Sequence, residues 1–129
     1  MRAEELKGHL DAVLLAALEG GPRHGYAVIE ALRQSTDGRL DLPTGTIYPA
    51  LRRLEQAGLI AGTWSVVGGR RRREYRLTPA GIRALSGRRA AWRDFSATVT
   101  AALESATRVN TALENAAMED TACPSPNPA

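Results

Sequence analysis

Residues 59–79 read LIAGTWSVVGGRRRREYRLTP, and the glycine pair at 68–69 divides this stretch into two runs rich in β-favouring residues. Glycine tolerates the positive φ angles that two-residue hairpin loops require, so two such runs around a Gly-Gly pair favour a β-hairpin. The stretch therefore predicts two antiparallel strands, the second of which carries a row of cations. The simplest register pairs Val67, Val66, Ser65 and Trp64 with Arg70, Arg71, Arg72 and Arg73, in that order.

The four consecutive arginines cannot form a core, and their placement on a strand indicates a surface role. Successive side chains of a strand point to opposite faces, so Arg70 and Arg72 point away from Arg71 and Arg73, which lowers their mutual repulsion. The same register lets Arg73 stack on Trp64. A thin hairpin with a cationic tip fits the minor groove of DNA or lies along its phosphates. The alternative is a solvated hairpin whose charges only protect an edge strand.

Three short helices are predicted before the hairpin from the spacing of apolar residues. Apolar side chains recur at i, i+4, i+7 and i+8 over residues 6–18, and further helical patterns cover about 24–35 and about 44–57. Glycine, proline or aspartate residues separate these patterns and favour turns between them. The inward stripe of the third helix consists of Ile47, Leu51 and Leu54.

A long helix is predicted after the hairpin. Thr78 followed by Pro79 is typical of an N-cap and the first helical position. From there to about residue 117, apolar residues recur with a mean spacing of about 3.5, which is typical of a helix that packs along a partner helix. We therefore expect this helix to make a dimer. The predicted dimerisation residues are Leu85, Trp92, Val99 and Leu103.

The order of three helices, a hairpin and a last helix is that of a winged helix-turn-helix, a mainly α fold in which the β-hairpin forms the wing. In a helix-turn-helix the later helix enters the major groove and presents its polar face to base edges. The outward face of the third helix has hydrogen-bond donors, an aromatic ring and cations, which suit a groove lined with acceptors and phosphates. An ordinary polar helix face is the alternative. The candidate DNA-binding residues are Thr46, Tyr48, Arg52 and Arg53 on this helix and Arg70, Arg71, Arg72 and Arg73 on the wing.

The chain is predicted to have three parts: a winged-helix DNA-binding domain over 1–78, a dimerisation helix over 79–117 and a disordered, acidic and proline-rich tail over 118–129. Residues 1–103 hold 16 Lys and Arg against 10 Asp and Glu, whereas residues 104–129 hold 1 against 4. A basic body with clustered arginines favours a polyanionic partner, nucleic acid before an anionic membrane surface. The helix-hairpin order fits duplex DNA better than RNA or a membrane.

Three segments resemble the PadR family of bacterial transcriptional regulators: HGY at 24–26, GTIYPALRRLE at 45–55 and GGRRRREYRLT at 68–78. The resemblance covers about residues 6–95 and is to the smaller subgroup, which has a single short C-terminal helix. It implies a homodimer that binds a pseudo-palindromic operator in double-stranded DNA, usually as a repressor. Many members of the family lose DNA affinity when they bind a small molecule.

The resemblance also implies an effector site on the last helix. In multidrug-binding relatives a tryptophan of the C-terminal helix lines a cavity at the dimer interface, and Trp92 lies at the matching position. Trp92 and Phe95 are therefore candidate residues for binding a small aromatic effector. Without the resemblance, the same two side chains are also consistent with an ordinary dimer core.

The HGY segment favours a structural reading over a functional one. We expect it to start the second helix, with Tyr26 packed and Gly25 relieving crowding at that point. The alternative is that His24 touches a phosphate from the N-terminus of the helix.

Other classes of function find little support in the sequence. Two histidines and one cysteine, Cys123, at no close spacing do not make a metal site. No catalytic pair, nucleophile motif or phosphate loop stands out, so we expect neither an enzyme nor a cofactor. A single cysteine and the lack of a long apolar run favour a cytoplasmic protein that does not enter the membrane. The rival function is a winged-helix protein-interaction module without a specific DNA site.

Overall fold

The computed structural model describes residue 6 and residues 8–122, and within the last helix the side chains of 106–112 and 114–122 are not described. The chain is mainly helical with a small antiparallel sheet, which confirms the predicted winged helix-turn-helix with a C-terminal helix. In order, the elements are helix α1 (Leu10–Ala17), strand β1 (Arg23–His24), helix α2 (Gly25–Ser35), helix α3 (Thr44–Gln56), strand β2 (Ile60–Val67), strand β3 (Arg70–Leu77) and helix α4 (Pro79–Ala122).

The chain divides into two compact units, a winged-helix unit (Met1–Arg89) and a C-terminal unit (Ala90–Ala129). The division falls inside α4, because the first turns of that helix belong to the core of the winged-helix unit. Leu85 is only 2% exposed and lies in that core. Leu85 is therefore a core residue of its own chain, and this burial accounts for its apolar character without the predicted dimer contact.

Leucine and isoleucine side chains from the first three helices form the core of the winged-helix unit. Ile47, Leu51 and Leu54 are all buried, which confirms the inward stripe predicted for α3. Each such side chain stabilises the fold by about 1.5–3 kcal/mol through its removal from water. Because this stripe is buried, the opposite face of α3 is exposed to solvent. The same core includes Leu14 and Leu15 of α1, Leu18 directly after α1, and Ile60 of β2.

Helix α1 is shorter than the predicted pattern over 6–18. Gly8 has a φ angle of +90°, which lies outside the helical range, and the helix begins only at Leu10. Leu6 nevertheless packs into the core at 8% exposure. The apolar spacing therefore predicted correctly that Leu6 is buried, although Leu6 lies before the first residue of the helix.

The three strands form an antiparallel sheet in the order β1-β3-β2. The predicted hairpin register is confirmed, since Val67 pairs with Arg70 and Trp64 with Arg73. Both turn glycines have positive φ, +60° at Gly68 and +79° at its neighbour, as a two-residue loop of this kind requires. Strand β1 was not predicted, because a strand of two residues carries no readable alternation.

Helix α4 starts where the sequence indicates. The Thr78 hydroxyl accepts a hydrogen bond from the Gly81 N–H at 3.0 Å and donates one to the Gly58 carbonyl at 2.6 Å. The helix continues past the predicted end near 117 to Ala122, because the first residue that cannot continue it is Pro124. The rest of the predicted tail, 123–129, lies outside the described residues. Within the described part of the chain, no helix has the length and apolarity that a membrane crossing requires.

Candidate nucleic-acid interface

The outward face of α3 carries the four residues predicted for it. Tyr48, Arg52 and Arg53 are exposed, and Thr46 is half-buried. Because the buried stripe fixes the rotation of the helix, these side chains share the face that points away from the core. The structure thus brings the α3 candidates onto one surface.

Tyr48 owes its position to a glycine of the preceding helix. A Cβ atom added to Gly25 would lie 2.5 Å from Cε1 and 2.6 Å from Cζ of the Tyr48 ring. The ring therefore occupies the space that a side chain at position 25 would need, and Tyr48 remains 38% exposed. Partial burial is the larger cause of the raised pKa of Tyr48, and the nearby Tyr26 is the smaller one. The hydroxyl therefore stays protonated and can donate a hydrogen bond.

The two arginines of α3 have different surroundings. Arg53 donates to the Asp11 carboxylate of α1 at 2.8 Å, although the guanidinium side chain remains 58% exposed. Arg52 makes no ion pair with any residue that the structure describes. Arg52 can therefore turn towards DNA without breaking an ion pair, whereas Arg53 would have to give up its contact with Asp11.

The wing arginines are organised around Trp64. The guanidinium carbon of Arg71 lies 4.6 Å from the centroid of the Trp64 ring, and that of Arg73 lies 5.3 Å from it. Both contacts lie within the range of cation–π attraction. Arg73 also forms an ion pair with Glu55 of α3. The predicted stacking of Arg73 on Trp64 is thus present, together with a second stacked arginine.

The other two wing arginines lie on the opposite face of β3. Nη1 of Arg72 lies 2.9 Å from Nε2 of His24. A guanidinium can only donate, so His24 accepts through this nitrogen. Arg70 stands at the exposed end of the strand, beside the turn.

A groove of about 930 Å³ lies between α3 and the hairpin. Its walls are cationic and aromatic, with one carboxylate from Glu55. They combine Tyr48 and Arg52 of α3 with the four wing arginines, whereas the candidates Thr46 and Arg53 do not line the groove. Such a lining suits an extended polyanion that offers phosphates to arginines and flat bases or sugars to rings. The walls are formed by His24, Gly25, Tyr26, Tyr48, Arg52, Glu55, Trp64, Val67, Arg70, Arg71, Arg72, Arg73 and Tyr75.

The HGY segment contributes more to this groove than its sequence suggests. The expectation that Tyr26 packs is wrong, because its side chain is 64% exposed. The expectation that Gly25 relieves crowding is confirmed by the Tyr48 ring above it. Tyr26 and His24 line the groove beside α3. The signals for them in the sequence were their place at the start of a helix and the resemblance of the HGY segment to the PadR family.

The C-terminal unit carries the candidates for dimerisation and effector binding. Trp92, Phe95, Val99 and Leu103 are all exposed in the single chain. Their spacing along α4 places them on one side of the helix. The rings of Trp92 and Phe95 have centroids 5.9 Å apart and an interplanar angle of 36°.

The residues that the structure describes hold no group of three or more His, Cys, Asp or Glu side chains that could bind a metal ion. Cys123 lies outside those residues. The candidate side chains that the structure brings together are cations and aromatic rings on the winged-helix unit and apolar groups on α4.

A model of the transcriptional regulator PadR-like family matches residues 14–87 of the chain. Among curated proteins, a transcriptional regulator of Mycobacterium tuberculosis is 45% identical over 64 residues, which cover 50% of this chain and 47% of that protein. An uncharacterised protein of Lysinibacillus sphaericus is 29% identical over 87 residues, which cover 67% of this chain and 80% of that protein.

Solved structures show the same likeness. A transcriptional regulator from Clostridium thermocellum superposes with a TM-score of 0.71 at 28% identity, covering 76% of this chain and 96% of that one. A PadR family transcriptional regulator from Eggerthella lenta gives a TM-score of 0.68 at 34% identity, covering 78% and 87%. The relatives whose function is named are transcriptional regulators and not enzymes, in agreement with the prediction from the sequence.

Proposed function

The chain belongs to the PadR-like family of transcriptional regulators, and from that premise we propose that it is a dimeric DNA-binding repressor which a small-molecule effector releases from its operator. In this proposal the regulator acts in the cytoplasm, where the DNA that it binds is located. The observation that carries the proposal is the groove between α3 and the wing, where Arg52 and the wing arginines face a common space.

In this proposal α3 is the recognition helix and enters the major groove. Arg52 reads base edges, Tyr48 and Thr46 support it through hydrogen bonds, and Arg53 exchanges its contact with Asp11 for phosphate. An arginine that reads guanine bidentately discriminates against other bases by about 1–3 kcal/mol. The hairpin lies along the adjacent backbone or minor groove, where its cations release counterions from the phosphates.

Dimerisation is proposed to occur through the exposed apolar side of α4. Trp92, Phe95, Val99 and Leu103 are large apolar residues that a second copy of the same helix would cover. A twofold dimer uses the same patch on both chains, so one apolar stripe is sufficient. Two recognition helices then bind half-sites about one helical turn apart in a pseudo-palindromic operator.

Effector release is proposed to act through the same interface. The tilted pair of Trp92 and Phe95 rings offers a surface on which a small aromatic molecule can stack. Such a molecule lowers DNA affinity only as far as it binds one spacing of the two recognition helices better than the other. The effector therefore favours a dimer whose helices do not match the operator.

The test starts from a random library of duplex DNA, from which the purified full chain selects its preferred sequence. We expect enrichment of an inverted repeat, and light scattering should give two chains per duplex. Replacement of Arg52 by alanine should relax the preference at one symmetric position of the repeat, whereas the other positions keep theirs.

The rival function, a protein-interaction module, makes a different prediction for the same selection. A module without a DNA site enriches no sequence, and its weak binding to DNA does not depend on base composition. Failure to enrich any sequence, together with a monomeric chain in light scattering, would overturn the proposed function.

A further inference from the structure

Glu55 is an acid in the middle of a cationic surface, and Arg73 is the cation it holds. Their ion pair joins α3 to β3, and the two side chains are 28% and 30% exposed, respectively. The hydrogen bond to Glu55 is the main reason why the pKa of Arg73 lies above its ordinary value. A carboxylate facing a DNA groove repels phosphate, so its presence there calls for a reason other than DNA contact.

Arg73 is also enclosed from other sides. Its guanidinium lies over the Trp64 ring on the neighbouring strand, 5.3 Å from the centroid. It covers Gly62 so closely that a Cβ atom there would lie 2.6 Å from Nε of Arg73. Tyr75, which is 7% exposed, is a further, smaller cause of the raised pKa of Arg73. These contacts hold the guanidinium between the hairpin and α3.

We propose that Arg73 is a positioning residue, which together with Glu55 fixes the angle between the wing and the recognition helix, while Arg70, Arg71 and Arg72 make the phosphate contacts. This inference rests on the proposed function, since it divides roles within the same DNA-binding face. Arg73 thus has a structural role in the site, and the other three arginines of the run contact the DNA.

Replacement of Glu55 by glutamine separates the two roles by the sign of the effect. The change removes a negative charge from the DNA-binding face, so electrostatics alone predicts tighter binding. The glutamine carbonyl oxygen can still accept a hydrogen bond from Arg73, but without the ion pair it holds the wing angle less firmly. This predicts weaker binding, by up to about tenfold, which is the order by which charge strengthens a hydrogen bond. Glu74→Gln is the matched control, because it makes the same charge change on β3, next to Arg73, and should leave affinity equal or raise it.

Gly62→Ala tests the same role without any change of charge. The new methyl group displaces the end of a flexible side chain, so the strand itself is expected to keep its fold. We expect weaker binding of a size similar to that of Glu55→Gln. The double variant should bind little worse than either single one, because both changes remove one interaction.

Binding is measured by fluorescence anisotropy with the labelled duplex that the wild-type chain selects, at several salt concentrations. Arg70→Ala should lower the slope of log affinity against log salt by about 1.8, which corresponds to one phosphate contact from each chain of the dimer. Arg73→Ala should weaken binding while the slope stays as in the wild type. An equal loss of slope in Arg70→Ala and Arg73→Ala, or tighter binding by Glu55→Gln, would overturn the positioning role alone. A wild-type chain that binds no duplex would overturn the proposed function and this inference with it.

Discussion

The ring of Tyr48 lies directly over Gly25, and a Cβ atom at position 25 would come within 2.5 Å of it. The contact joins the start of α2 to the exposed face of α3, so a residue of the HGY segment sets the position of a residue of the recognition helix. Two of the three segments that resemble the family are thus physically in contact. The absence of a side chain at position 25 is what allows Tyr48 to lie at the edge of the groove.

Gly25→Ala should therefore disturb both stability and DNA binding. The methyl group forces the Tyr48 ring aside, and overpacking of this kind costs about 1–3 kcal/mol in the free energy of unfolding. Urea denaturation checks the first effect and anisotropy the second. Gly45→Ala is the control for the stability effect alone, because an added Cβ there meets nothing within 4 Å, and it should be neutral or stabilise by about 0.5 kcal/mol in the free energy of unfolding.

Gly81→Ala should be the most damaging of the glycine substitutions in α4. An added Cβ would overlap the Leu59 carbonyl oxygen, which is fixed because it accepts the Thr78 N–H at 3.1 Å. A clash with backbone cannot relax by a rotamer change, so we expect a loss of about 3 kcal/mol. Gly87→Ala, on the same helix with open space around it, should instead gain about 0.5–1 kcal/mol from helix propensity. Thermal denaturation of the two variants side by side gives the contrast, and equal melting temperatures would contradict it.

Val99→Glu should convert the proposed dimer into a monomer. The substitution places a carboxylate in the middle of the apolar side of α4, where a partner helix would have to bury it. Light scattering measures the mass, and operator affinity should fall by at least about a hundredfold when the two recognition helices are no longer linked. Ala97→Glu carries the same charge on the other side of the helix and should remain a dimer. If Val99→Glu and Ala97→Glu both remained dimers, this side of α4 would not be the interface.

The ion pair between Glu19 and Arg89 should appear as a pH-dependent contribution to stability. Two hydrogen bonds, at 2.7 and 2.8 Å, from Arg89 lower the pKa of Glu19 below its ordinary value of 4.5. A lowered carboxyl pKa in the folded state adds stability above pH 4.5, and this contribution is lost as the pH falls through the folded-state value. Glu19→Gln should therefore be less stable than the wild type at pH 7 and equally stable at low pH. A difference that persists unchanged in acid would show that the carboxylate charge is not its cause.

Features that depend on neighbours in the chain could be predicted from the sequence. The hairpin register follows from a two-residue glycine turn, which leaves only one alignment of Trp64 with Arg73. The start of α4 follows from a capping threonine before a proline, and the rotation of α3 follows from its apolar stripe. In each case the deciding interactions lie within a few residues of one another.

Features that depend on distant partners could not be predicted in this way. The heptad pattern assigned Leu85 to a dimer contact, but the residue lies where α4 still packs on the core of its own chain. Arg53 and Arg73 looked equivalent to their neighbours, yet each has an acid 42 or 18 residues away in sequence. Helical or strand periodicity reports which side of an element faces inward, and it carries no information on which charge meets which across the fold.

The most direct measurement is the salt dependence of operator binding by the wild type and by a variant with alanine at positions 70, 71 and 72. If these arginines contact phosphates, the variant should bind more weakly at every salt concentration, and its slope of log affinity against log salt should be smaller by about five, since three contacts are lost from each chain of the dimer. The same affinity and slope in both proteins would show that the wing does not contact DNA.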